Sequence, residues 1–229
     1  MNVPLPFSHP IALLLCVLLV SGCSSRSPHD SKHKSVLQEI KGRDDTHGRF
    51  AVYRARIPKE WVRHDPLPNE SLADSTKAIC EFIIKDSNEM IRIAIHNFPC
   101  DPTDSKPPPA AQVARWQRQF LSLSATDSYT VPQVFNGFTG LFFKGIGEMK
   151  REATIEDITV LAWALQIAPE HHRMLSYPPQ QEQAPIYREM RADVTIKAVG
   201  PQKITATHEE DIINFAHSFE LIEEIPVRR

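Results

Sequence analysis

Glycine is scarce in this chain, with eight residues in 229, while proline supplies nineteen. Connections are therefore stiffened by proline's fixed φ rather than loosened by glycine, and many prolines gather in clusters such as Pro107-Pro108-Pro109 and Pro178-Pro179. An excess of positive charge is missing too. The formal net charge is −2, which argues against a binder that grips nucleic acid through a strongly basic face. The apolar run at residues 11–20 is about ten residues long, half of what a membrane-spanning helix needs. Catalytic signatures are also absent: there is no nucleophile elbow, no zincin helix, and Gly140, Gly145 and Gly147 lack the Lys-Ser or Lys-Thr of a phosphate loop. No internal repeat is found, and no cofactor is implied.

What is present starts at the amino terminus. The run at 11–20 ends in Leu19-Val20-Ser21-Gly22-Cys23, and its length fits a signal h-region. This string resembles the lipobox of bacterial lipoprotein precursors. The resemblance implies cleavage between Gly22 and Cys23, a diacylglyceryl group on the Cys23 sulfur and acylation of its new amino group. Residues 1–22 are then a signal peptide, Cys16 is lost with it, and the mature chain has 229 − 22 = 207 residues, enough for one domain and a tether. No Lys or Arg precedes Arg26, so the positive n-region is reduced to the amino terminus and His9. Ser24 after the cysteine, rather than Asp, implies an outer-membrane address in a cell with two membranes.

Two cysteines remain, Cys80 and Cys100, and an exported chain permits a disulfide. Residues 78–85 and 90–98 read as a hairpin around Asp86-Ser87-Asn88-Glu89, with Ile91, Ile93 and Ile95 alternating against Arg92, Ala94 and His96. In that register paired residues sum to about 175, Cys80 faces Ile95, and Cys100 lies five positions further on. At about 3.3 Å per residue the offset is roughly 16 Å, against a limit of roughly 7 Å between bridged Cα atoms. Two separate thiols are the better reading, with the disulfide as the alternative.

Residues 23–48 are rich in Ser, His, Lys and Asp and read as a lipidated tether with at most a short helical turn at Val36, Leu37 and Ile40. The globular domain is expected over 49–224, with a tail at 225–229. Strands are expected at 50–57, in the hairpin, at 138–145, at 158–168 and at 190–199, with a loop near 127–132. Trp61, delivered by the turn after Pro58, should pack on the sheet. One helix is expected over 110–123, burying Val113, Trp116, Phe120 and Leu121 and leaving Arg115 and Arg118 outside. A second is expected to open at Thr207-His208-Glu209-Glu210, a capping-box pattern, with Ile212, Phe215, Ala216, Phe219 and Ile222 as its apolar stripe.

Four strings, Ile57-Pro58-Lys59-Glu60-Trp61, Ala114-Arg115-Trp116-Gln117-Arg118-Gln119, Thr195-Ile196-Lys197-Ala198-Val199-Gly200-Pro201 and Asn214-Phe215-Ala216-His217-Ser218-Phe219, together with the order of elements, resemble the PsbP-like fold of photosystem II extrinsic subunits and related bacterial envelope proteins. The resemblance implies an α+β class, a twisted antiparallel sheet sandwiched between helices, and a docking or accessory role. The chain departs from that pattern in its lipid anchor, in Glu60 where Gly is common, and in a long loop carrying His171 and His172.

Those histidines, with Glu170 and His96 or His208, are the weak candidates for a metal site; an exposed polar loop accounts for them more simply. Arg115 and Arg118 beside Trp116 are the candidate contact for an anionic partner. The expectation is a lipid-anchored, non-enzymatic envelope protein that binds an unidentified envelope protein. The alternative is an envelope hydrolase with dispersed catalytic residues.

Overall fold

A computed structural model describes residues 34–41, 51–66, 77–98, 107–151, 154–168 and 193–222. Gly22, Cys23, Cys100, His171 and His172 lie outside the described residues, and with them the cleavage and lipidation site, one half of the disulfide question and the candidate metal ligands.

In chain order the elements are β1 Ser35–Lys41, β2 Ala51–Pro58, β3 Val62–His64, β4 Cys80–Asp86, β5 Glu89–Phe98, α1 Pro109–Gln117, β6 Phe120–Leu123, β7 Tyr129–Phe135, β8 Phe138–Arg151, β9 Thr154–Ile167, β10 Asp193–Pro201, α2 Gln202–Ser218 and β11 Glu220–Leu221. The main sheet runs β3-β4-β5-β10-β9-β8-β6, and β7 pairs with β8 beside that path. All its pairings are antiparallel. The expected α+β architecture is present, with one helix on each face of an antiparallel sheet.

Strand β9 explains the layering. Alternate side chains of a strand point to opposite faces, and in β9 both faces are covered, so the strand reads as a continuous apolar run. Leu161, Trp163 and Leu165 enter one core with Ile93, Ile95, Ile196 and, from α2, Ile212 and Phe215. Val160, Ala162 and Ala164 enter a second core with Phe143 and, from α1, Val113 and Trp116. The first core is the aromatic one: the Phe215 ring lies edge-on to Trp61 at 5.3 Å and to Phe82 at 5.4 Å, and Tyr53 stacks on Phe219 at 5.0 Å. Trp61 is buried, as its turn suggested. At Gly140 an added Cβ would meet the Ala164 carbonyl oxygen at 2.0 Å, so only glycine lets β8 lie this close to β9.

The hairpin register matches the sequence reading: Cys80 pairs with Ile95 and Asp86 with Glu89. Ser87, at φ 53°, supplies the left-handed residue that a two-residue turn needs.

Several expectations are corrected. The segment read as a tether contains β1, which pairs along β2 from Ser35↔Pro58 to Ile40↔Tyr53; with β11 these form a second, three-stranded sheet. Only Ile40 of β1 is buried, so backbone pairing holds a strand whose composition resembles a linker. Helix α1 stops at Gln117, where the Arg118 N–H donates to the Ala114 carbonyl at 3.2 Å. Phe120 onward is strand, and Leu121 is 59% exposed. The expected loop near 127–132 contains the start of β7, an edge strand that tolerates Pro132 because the edge needs no N–H there.

The last helix begins at Gln202, with Pro201 as its N-cap. Thr207 is therefore internal and donates to the Lys203 carbonyl at 3.4 Å rather than capping. Glu209 instead accepts from Lys144 Nζ at 2.7 and 2.8 Å, tying α2 to β8. Pro201, extended at ψ 140°, is both the last residue of β10 and the N-cap of α2, so strand passes directly into helix.

Candidate functional site

Helix α1 forms where the chain leaves a proline run. Pro108 sits at the N-cap in an extended conformation and Pro109 at the first helical position, where a missing N–H costs nothing. Its buried Val113 and Trp116 pack over β8 and β9.

The strand register shows what the sheet carries beside α1. Across β5, β10 and β9 one row is Ala94, Lys197 and Ala162, and the next is His96, Thr195 and Ala164. Lys197 is half-buried, and its amine donates to Gln119 Oε1 at 2.5 Å. Burial, and then the positive charges of Arg115 and Arg92, bring its pKa down to about 8. Arg92 is 55% exposed and pairs with Glu81 on β4. The carboxylate of Glu81 holds the proton on Arg92 more firmly than usual. Among the described residues no carboxylate pairs with Lys197, Arg115 or Arg118.

Along α1 from this cationic cluster lies a cleft of about 70 Å³ lined by Pro109, Gln112, Ala164, Gln166, Asp193 and Thr195. It is far below the roughly 300 Å³ at which pockets for whole small ligands begin. Asp193 is occupied structurally, accepting from the Ile167 N–H at 3.2 Å and from Gln166 Nε2 at 3.3 Å. Gln112 Oε1 is buried and has no hydrogen-bond partner, an arrangement that is costly unless a donor arrives.

Of the residues singled out in the sequence, Arg115 and Arg118 are exposed on α1 as expected. Cys80 is buried with a free thiol whose pKa burial pushes up to about 12, so it is unreactive at neutral pH. Among the described residues no group of three or more His, Cys, Asp or Glu could hold a metal ion. Lys197, Arg92, Gln112 and Gln119 were not anticipated. The signal for Lys197 was a cation inside the strand string Thr195-Ile196-Lys197-Ala198; nothing local signalled that Arg92 and Arg115 would flank it.

No protein-family model matches the chain, and no curated sequence does. Among solved structures, LpqN, involved in cell envelope biogenesis of Mycobacterium tuberculosis, is 12% identical, with a TM-score of 0.41, over 81% of this chain and 91% of that chain. Cyanobacterial PsbP (CyanoP) from Synechocystis is 12% identical, with a TM-score of 0.41, over 84% of this chain and 96% of that chain. Neither likeness carries an activity or a partner to this chain.

Proposed function

We propose that this is a lipid-anchored bacterial envelope protein, non-enzymatic, whose domain binds a protein partner through the cationic surface at the end of α1. The anchor reading rests on Leu19-Val20-Ser21-Gly22-Cys23 and the apolar run before it. One acyl chain gives only marginal membrane binding, and two or three on Cys23 hold a protein stably. Ser24 favours the outer membrane. Because β1 opens at Ser35, the chain from Cys23 to Lys34 can span at most about 40 Å, and the globular domain works close to the bilayer.

The observation that carries the binding role is a group of cations with no carboxylate partner among the described residues, Lys197 on β10 and Arg115 and Arg118 at the end of α1. Crosslinking the intact lipoprotein in its own membrane tests it. One predominant protein adduct is expected, reduced severalfold by the pair Arg115→Glu and Arg118→Glu; absence of any adduct would remove the reading. Fatty-acid labelling of wild type against Cys23→Ala checks the anchor, with loss of label expected in the variant. A hydrolase is the second reading, and it has the Lys197 amine at about 8 on its side, since a lysine of that kind can act as a general base. Turnover of a panel of ester and amide substrates, abolished by Lys197→Met, would favour it.

A further inference from the structure

The cationic cluster and the cleft belong to one groove. Helix α1 presents Gln112 and Arg115, with Gln119 just past its end, and β10 presents Asp193, Thr195 and Lys197 at strand spacing on the face toward α1. Gln112 and Thr195 line the cleft together, and Gln119 bonds Lys197, so helix and strand run side by side from one end of the groove to the other. The floor is kept low by Ala94, Ala162 and Ala164 in the adjoining rows. The groove is positive at one end, where the charges of Arg115 and Arg92 act on Lys197, and mostly apolar in the cleft, where Phe98, Pro107, Leu165 and Val194 join the lining. At the other end Asp193 is satisfied within the protein.

We infer that this groove receives an extended, acidic peptide segment of the protein partner, placing a carboxylate between Lys197 and Arg115 and a backbone N–H on Gln112 Oε1. The inference rests on the protein-binding role proposed above and names the chemistry of the partner. Three observations select this occupant. A half-buried amine bonded only to a neutral amide, with two guanidinium groups near it, is an unfavourable arrangement that an anion relieves. An isolated anion would leave the buried acceptor of Gln112 unmet, whereas a peptide brings donors at regular spacing. The cleft takes a side chain or a stretch of backbone rather than a whole small molecule. The guanidinium plane of Arg115 suits bidentate contact with a carboxylate, and the amine of Lys197 supplies a point charge.

The test uses the full mature chain and three blocked octapeptides, alternating Ala-Glu, Ala-Gln and Ala-Lys, with inorganic phosphate as a separate arm. The Ala-Glu peptide is expected to bind saturably and more weakly at high salt, while the Ala-Gln and Ala-Lys peptides bind at least tenfold worse. Lys197→Gln and, independently, the exposed Arg115→Glu should each reduce Ala-Glu binding at least tenfold with the fold intact by circular dichroism. In the complex the Lys197 amine should titrate above its free value. Equal binding of the acidic and neutral peptides, undiminished binding in Arg115→Glu, or saturable binding of phosphate with none of the acidic peptide would each overturn the inference. Membrane crosslinking separates it from the broader reading: a partner captured as well by Arg115→Glu and Lys197→Gln as by wild type sinks the acidic-segment inference and leaves a protein-binding role standing elsewhere on the surface.

Discussion

On the α2 face of the main sheet, Trp61, Phe82 and Phe215 meet with ring centroids 5.3 to 6.1 Å apart; on the α1 face, alternate positions of the same strands carry Arg92, His96 and Lys197. Both faces belong to β5 and β10, and a strand sends successive residues to opposite sides. One side can therefore be committed to stability while the other keeps groups that burial would penalise. Helix α2 runs over the aromatic core with Ile204, Ile212, Phe215 and Ala216 inward. Helix α1 is nine residues long and packs over β8 and β9.

The contrast can be broken at its strongest point. Phe215→Ala would empty the centre of the aromatic core and should destabilise the domain by about 3 to 5 kcal/mol, read as a lower midpoint in urea denaturation. A loss below about 1 kcal/mol would mean that the α2 face does not carry the fold.

A second test sharpens the other side. The Lys197 amine sits at about 8 in the folded protein against an ordinary 10.5. Below pH 8 it is protonated in both states and its burial is a constant penalty. Between 8 and 10.5 the unfolded chain holds the proton and the folded one does not, so its contribution to stability rises with pH across that window. Urea denaturation at pH 7 and pH 10 should show the difference between wild type and Lys197→Met moving in favour of wild type at the higher pH. A difference independent of pH would place Lys197 in open solvent.

The smallest effect is expected on the helix surface. Arg115→Glu lies outside both cores and should change stability by no more than about 0.5 kcal/mol in the same assay. A large loss would make Arg115 a structural residue and take it out of the groove.

Particular residues show how much of this could be read in advance. The β4–β5 hairpin was legible to the single residue, because alternating isoleucines around Ser87-Asn88 leave one register that buries them all. Trp61, Val113, Trp116 and the exposure of Arg115 and Arg118 were legible from spacing alone. Strand β1 was hidden, since one buried residue, Ile40, is too weak a pattern against polar neighbours. Strand β7 was hidden by Pro132, although Asn136-Gly137, with φ of 48° and 83°, marked the turn after it. Thr207 misled because a good capping sequence is a local preference, and the chain had already entered the helix five residues earlier, where Pro201 follows directly from β10.

By itself the sequence determined the register of the β4–β5 hairpin and the faces of the strongest strands, because these depend on spacings and alternation along the chain; the antiparallel class was implied by the resemblance to the PsbP-like fold. Only the tertiary structure decided that Arg92 and Arg115 lie close enough to Lys197 to act on it and that Gln112 Oε1 is left without a donor. Those facts arise from pairing β10 between β5 and β9 and laying α1 across the sheet. The proximity of residues 92, 115 and 197 depends on register and helix placement, which no local pattern carries.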